Sequence, residues 1–446
     1  MGYWYEEAVF YHIYPLGLTG APRENRGEAG HGFDKLKLWI PHMQELGFTA
    51  LYIGPLFEST THGYDTKDYR QVDVRLGTNQ DFKEFVRLCH EAGIRVVADG
   101  VFNHTGREFF AFRDIQENRE NSRYKDWYKG INFWGNTQYK DGFGYEAWRN
   151  CFELVNLNLR NREVTDYLLD VIRFWIDEFD IDGIRLDCAD CLEFDFMKEM
   201  RQVTTGKKAD FWLMGEVIHG DYSRWANDEV LHSVTNYELH KGLYSGHNDY
   251  NYFEIAHTVR RLFDENSGIC KGRRLYSFTD NHDVDRLMSK LSRKEDYYPV
   301  QLLLYTLPGI PSIYYGSEWG IEGRKAGGDD SPMRPEIDIT AQPDNEYSSY
   351  IMKLGQLHRE NPELSYGRYK ELLLKNRQYV FARFLENSMV LAAVNNDDAL
   401  AEIEVNTGFD SPAALELLTG ETVRVENSQI RLTLPAHRGA LLKLTR

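Results

Sequence analysis

Short runs of β-branched and aromatic residues alternate with longer stretches of helical period along most of the chain. Residues 9–16 read as a strand. Residues 33–46 place Phe33, Leu36, Leu38, Ile40, Met43 and Leu46 at helical spacing, with a break expected near Pro41. Residues 50–57 form a second strand. Residues 81–92 form a helix with Phe82, Phe85, Val86 and Cys89 on one face, and residues 95–102 a third strand. This β-α-β-α-β order predicts a parallel sheet. The alternation stops over residues 104–156, which are rich in Asp, Asn, Gly, Tyr and Trp and show no clean period. A loop of that length in a compact domain is usually functional. The helical period returns at 164–179 with Tyr167, Leu168, Val171, Ile172 and Trp175. Residues 183–188, 211–217, 233–239, 274–279 and 312–315 supply strands four to eight, and eight such strands close a barrel. Beyond residue 366 the runs are short, alternating and bounded by turns, at 371–374, 379–384, 389–395, 402–405, 413–417 and 429–434. That texture predicts an antiparallel β-sandwich.

The expected fold class is therefore α/β: a (β/α)8 TIM barrel with a short inserted domain and a C-terminal antiparallel β-sandwich. The predicted division is barrel at 1–103 and 157–365, inserted loop domain at 104–156 and C-terminal domain at 366–446. The length of 446 residues agrees with this, because a barrel takes roughly 250 residues and the rest must go elsewhere.

A net charge of −17 and a pI near 5.3 disfavour nucleic acid and anionic membrane as partners. The five cysteines are odd in number and irregularly spaced, the usage of a reducing compartment. Cys188 and Cys191 form a C-x-x-C without a second ligand pair, so no metal is expected and the thiols read as structural. The first residues lack the features of a secretory signal, Glu6 stands where a myristoylation motif wants Ser or Thr, and no apolar run approaches a membrane span of ~20 residues. The expectation is a soluble, cytoplasmic protein. The 14% aromatic content fits a large core.

In a (β/α)8 barrel the chemistry sits at the C-terminal ends of the strands. Strand three ends in Asp99, Asn103 and His104, strand four in Arg185 and Asp187, strand five in Glu216, and strand seven in Asp280, His282 and Asp283. An ionised and a protonated carboxyl facing one bond can serve as nucleophile and proton donor. Arg185 and Asp187 are two apart on a strand and point the same way, and the guanidinium favours the ionised form of Asp187. Glu216 has no cation nearby in sequence, and negative neighbours across a cleft would favour its protonated form.

Four blocks in order carry a resemblance: DGVFNH at 99–104, GIRLD at 183–187, GEV at 215–217 and NHD at 281–283, supported by HGYDTKDY at 62–69 and PGIPSIYYG at 308–316. The sequence resembles the α-amylase family, glycoside hydrolase family thirteen, over nearly its whole length. The resemblance implies Asp187 as nucleophile, Glu216 as general acid/base and Asp283 as the third carboxylate, with His104 and His282 binding the same sugar. It implies Tyr64 as a stacking platform and Asp99 as scaffold for Arg185 or Asn103. Asp65 is expected to pair with Arg334 and close the non-reducing end. Many relatives bind calcium through Asn103 and acidic groups of the long loop. Here that loop has Asp114, Asp126 and Asp141 but no dense oxygen run, so no cofactor is expected.

The block LVNLNL at 154–159 is similar to that of neopullulanases, maltogenic amylases and cyclomaltodextrinases, with Asn156 where they carry Lys. The implied substrate is an α-glucan oligosaccharide, cleaved at α-1,4 links in maltooligosaccharides or cyclodextrins, with α-1,6 cleavage and transglycosylation admitted. An α-glucosidase, an oligo-1,6-glucosidase or a 4-α-glucanotransferase is the alternative, and a non-catalytic sugar-binding barrel the remote one. The oligomeric state stays open.

Overall fold

The computed structural model describes residues 2–446; Met1, at the start of the first predicted barrel segment, lies outside the described residues. Eight strands form one parallel sheet: β1 Phe10–Ile13, β2 Ala50–Ile53, β3 Arg95–Gly100, β4 Gly183–Leu186, β5 Trp212–Gly215, β6 Ser233–Val234, β7 Tyr276–Phe278 and β8 Ile310–Tyr314. Their order is 6-5-4-3-2-1-8-7, with every neighbour parallel. A bridge between Thr235 and Tyr276, with Asn236 N–H donating to the Tyr276 carbonyl at 2.8 Å, joins the ends and closes the barrel.

Most strands are shorter than their apolar runs predict, because the chain leaves the ladder at the C-terminal rim while side chains still point inward. Strand six shows this most: expected over 233–239, it ends at Val234, and Asn236 then caps the helix Tyr237–Asn248 by accepting from Leu239 N–H at 3.1 Å. The helix expected over 33–46 is two helices, Gly32–Lys37 and Trp39–Glu45. Its break falls at Leu38, since Pro41 sits in the first turn of the second helix, where a missing N–H costs little. The helix expected at 81–92 spans Asn79–Glu91 and opens on a capping box between Thr78 and Asp81, which satisfies two free backbone donors.

Residues 104–156 hold more structure than their sequence shows. They contain the helix Phe110–Asn118 and a two-stranded ladder of His104–Thr105 with Val155–Asn156. Phe112, Tyr128, Phe143 and Tyr145 are buried there, and Trp134 is almost fully exposed. The barrel interior is packed by Phe10, Tyr52, Val97, Trp212, Met214, Tyr276, Phe278 and Ile310, with Tyr5 beneath them. This inner layer is a filled core, and it forces polar chemistry to the rim.

The C-terminal strands are β9 Arg368–Leu374, β10 Gln378–Phe384, β11 Ser388–Asn395, β12 Ala401–Asn406, β13 Ala413–Glu416, β14 Thr422–Glu426, β15 Gln429–Leu434 and β16 Arg438–Thr445. They form one antiparallel sheet in the order 9-10-11-16-13-14-15-12. Val380, Leu391, Ile403, Ile430 and Leu442 share a single core, so the sheet folds back over itself. Six runs were expected. The two further strands are β14, which is largely exposed, and β16, whose apolar run follows a glycine without clean alternation. His437 ties this sheet to the barrel, with Nδ1 2.8 Å from Asp296 and Nε2 3.0 Å from Asp398. Among the described residues no helix is long and apolar enough to cross a membrane, and all five cysteines are free thiols.

Asp182 fixes the start of β4. Fully buried, it accepts from Val96 N–H at 2.8 Å and Arg95 at 2.9 Å, and lies 2.7 Å from His90 and 2.8 Å from Lys208. Burial alone would raise its pKa, but His90 and Lys208 outweigh it and bring the carboxyl down from 3.8 to about 2. A depressed carboxylate stabilises above its unfolded value and loses that contribution as pH falls through the folded one. Asp182→Asn should therefore cost roughly 2–3 kcal/mol at pH 7. In urea melts the gap to the parent should close between about pH 4 and pH 2.

Candidate active site

The ladder hydrogen bonds continue just past the strand ends and place the acids. Asp187 N–H donates to the Gly100 carbonyl at 3.0 Å, and Glu216 N–H to the Leu186 carbonyl at 2.9 Å. Gly215 must lack a side chain: a Cβ there would sit 2.5 Å from Leu231 and 2.7 Å from Ala189. Asp99 and Arg185 are register partners on β3 and β4.

Arg185 is the centre of the cluster. Its Nη1 lies 2.9 Å from Asp99 and 2.9 Å from Asp187, and its Nη2 lies 2.9 Å from Glu216. All four side chains are buried. Glu216 thus has a cation in contact, contrary to the reading from sequence, because β4 and β5 are neighbours. Asp187 and Glu216 present oxygens within 4.8 Å of one another. Burial pushes Asp187 up to about 8; Arg185 pulls it down, and Glu216 and Asp99 push it up again. The sequence expectation of an Asp187 kept ionised by Arg185 is corrected here, since one guanidinium is divided among three carboxylates.

Cys188 touches both acids. Its N–H donates to Glu216 Oε2 at 3.1 Å, and its thiol donates to Asp187 Oδ2 at 3.2 Å. It does so from a left-handed backbone conformation, φ 47° and ψ 46°, the kind of conformation that gathers at functional sites. Nothing in the sequence separated Cys188 from the other thiols. Tyr237 was also missed, because strand six was read through it. Its hydroxyl donates to Glu216 Oε1 at 3.3 Å and accepts from Asn281 Nδ2 at 3.1 Å. Asn281 in turn accepts from Asp283 N–H at 2.8 Å. Tyr52, an inward residue of β2, donates to Asp99 at 2.9 Å.

A second group gathers around Asp283. His282 Nε2 lies 3.1 Å from Asp283 Oδ2, and Arg334 lies 3.0 Å from Oδ1. Its side chain is 39% exposed; the partial loss of water would raise this carboxyl, but His282 and Arg334 hold it well below the usual range. The Tyr64 hydroxyl joins the two groups, donating to Asp99 at 3.0 Å and bonding to His282 Nε2. The Tyr64 ring stacks on that of His282 at 5.6 Å.

The expected Asp65–Arg334 pair does not form. Arg334 is drawn to Asp283 and, at 3.2 Å, to Asp330, with Nε on the His282 carbonyl and its plane over Tyr14 at 4.6 Å. Asp65 accepts instead from the Thr61 hydroxyl at 2.8 Å. His104 makes no hydrogen bond to the carboxylates. Its Nδ1 faces Asn103 Nδ2 at 3.2 Å, its Nε2 has no protein partner, and burial lowers it to about 3, so the ring is neutral. Asn103 also reaches Asn156 at 3.4 Å. The loop acids do not converge on it: Asp141 is held by Arg107 at 2.8 Å, and Asp114 by Ser122 and Asn118. The residues present do not fit a calcium site.

Comparison with known proteins gives the same picture. Residues 33–353 match the family described as alpha amylase, catalytic domain, and residues 367–442 the alpha-amylase C-terminal domain. The chain is 30% identical to a cyclomaltodextrinase of Thermoanaerobacter pseudethanolicus, over 90% of this chain and 72% of that protein. It is also 30% identical to neopullulanase 2 of Thermoactinomyces vulgaris, over 98% of this chain and 78% of that one. A solved cyclomaltodextrinase structure superposes with a TM-score of 0.88 at 27% identity, covering 98% of this chain and 78% of the other. With a closed parallel barrel, a folded C-terminal sheet and these carboxyls on the rim, the chain belongs to the α-amylase family of glycoside hydrolases.

Proposed function

We propose that this protein is a retaining α-glucan hydrolase that cleaves α-1,4 links of maltooligosaccharides or cyclodextrins, with Asp187 as nucleophile and Glu216 as general acid/base. The observation that carries this reading is the pair of oxygens, one from each residue, within 4.8 Å. Retaining enzymes hold their carboxyls about 5–5.5 Å apart, and inverting ones leave room for a water between them.

Asp187 holds a proton up to about pH 8, and between two acids this close a proton is shared rather than owned by one residue. In the reacting arrangement it sits on Glu216. Asp187 is then ionised and accepts from Arg185 and the Cys188 thiol. Glu216 gives its proton to the leaving oxygen as Asp187 bonds to the anomeric carbon. Glu216 then takes a proton from water, or from a sugar hydroxyl in transglycosylation, whose oxygen bonds to the anomeric carbon as the ester to Asp187 breaks. Asp283, held ionised by His282 and Arg334, binds hydroxyls beside the reacting carbon and stabilises its positive charge. Tyr64 faces the same sugar, and His104 and His282, each with a ring nitrogen lacking a protein partner, offer those nitrogens to its hydroxyls. Asp99 acts through Arg185. No step needs a metal.

Relatives named cyclomaltodextrinase, neopullulanase and intracellular maltogenic amylase support an oligosaccharide substrate met in the cytoplasm, and the neopullulanase likeness supports some α-1,6 cleavage. Asn156, tied to Asn103 where relatives carry Lys, argues for a preference of its own on the acceptor side.

Asp187→Asn should lower turnover by on the order of 10⁴ with little change in melting temperature; a near-normal rate removes it from the mechanism. Because the pair is active with one proton and inactive with none, kcat/KM should fall as pH rises through about 8, measured as a full pH–rate profile. Product analysis with maltotriose, panose and a cyclodextrin should show hydrolysis of the first and third. Release of glucose alone from every substrate would favour an α-glucosidase instead.

A further inference from the structure

At the end of the barrel away from the carboxylates, a cavity of about 370 Å³ lies between the segment entering β7 and the first strands of the C-terminal sheet. Its volume falls in the range of small-molecule sites, about 300–1,000 Å³. Lys271, Arg273, Arg274, Arg368 and Arg383 line it, with Glu265 as the carboxylate in its wall. This concentration of cations occurs in a chain of net charge −17.

The carboxylates that reach these cations leave a surplus. Arg273 is paired with Asp228 at 2.8 Å, Arg274 with Glu6 at 3.0 Å, and Arg368 loosely with Glu265 at 3.7 Å. Among the described residues, Lys271 and Arg383 have no carboxylate within salt-bridge distance. Lys271 makes only a long contact to the Asn266 carbonyl, at 3.5 Å. Arg383 is 3% exposed and spends its donors on the carbonyls of Gly367, at 3.1 and 3.0 Å, and Thr306, at 2.9 Å. Burial and the charge of Arg274 push Arg383 down to about 9. A buried guanidinium normally has an anion beside it, because leaving one unpaired is costly. Here the neighbour is a second guanidinium, that of Arg274, and both residues line the cavity.

We propose that this cavity binds a phosphate group, free or esterified to a sugar. A tetrahedral dianion suits the exposed cations Lys271 and Arg368, together with the donors that Arg273 and Arg274 do not spend on Asp228, Glu6 and the Ser365 carbonyl. Tyr366, with the Arg274 guanidinium over its ring at 5.0 Å, and Tyr369 complete the wall. The site is separate from the hydrolytic centre, and the proposal does not depend on the reaction assigned there.

The test is titration calorimetry and thermal melting of the full chain with inorganic phosphate and with glucose 6-phosphate, against chloride at equal ionic strength. The comparison variant is Lys271→Ala/Arg368→Ala. Both side chains are exposed and weakly held, so its melting temperature without ligand should match the parent. Phosphate should raise the melting temperature where chloride does not, and the double variant should bind at least tenfold more weakly. Tighter binding of the sugar phosphate than of inorganic phosphate would assign an esterified ligand; equal affinity would assign the free ion. No stabilisation beyond chloride, or undiminished affinity in the double variant, would overturn the proposal.

Discussion

One guanidinium divided among three buried carboxylates sets the behaviour of the whole rim. Removing an acid from water is costly unless a cation or proton accompanies it. Arg185 supplies a single positive charge to Asp99, Asp187 and Glu216, and Asp99 draws on it from below. The remaining pair therefore retains a proton well into neutral pH, which gives the site an acid and a base from identical chemical groups. Tyr52, Tyr64, Tyr237 and Cys188 add neutral donors that orient the acids without removing the imbalance. A second cation would ionise both acids and leave the leaving group without a proton.

Asp283 shows the opposite arrangement a few residues away. His282 and Arg334 both contact it, so it carries a fixed charge. The contrast between a charge-starved pair and a charge-saturated neighbour comes from which cations the strand ends and the loop after β8 bring to each acid. It needs the packed aromatic interior below, since those side chains fill the barrel and exclude the water that would otherwise screen these groups.

Much of this arrangement was legible from residue order. The alternation of strand and helix named the barrel, and carboxylates ending strands three, four, five and seven located the site. What remained hidden depended on contacts between segments distant in sequence. Glu216 has no cation near it in the chain, yet β4 and β5 are neighbours, so Arg185 reaches it. Tyr237 was read as strand because residues 233–239 were taken as one element, whereas Asn236 caps a helix that begins at Tyr237. Asp65 and Arg334 are plausible partners on charge alone, but Asp283 lies closer to the guanidinium. Cys188 looked like any other thiol until its left-handed backbone turned both its N–H and its sulfur toward the acids.

The two reacting carboxyls come from adjacent strands of one sheet, and hydrogen-bonded strands lie about 4.7–4.9 Å apart. The gap between nucleophile and proton donor is therefore fixed by backbone geometry and owes little to loops. Attack by a water with inversion wants roughly 6.5–9.5 Å between the acids, more than this pair leaves between its oxygens. Loops around this rim can drift in sequence and retune which sugar enters, while the handedness of the product stays locked to the spacing of a peptide ladder.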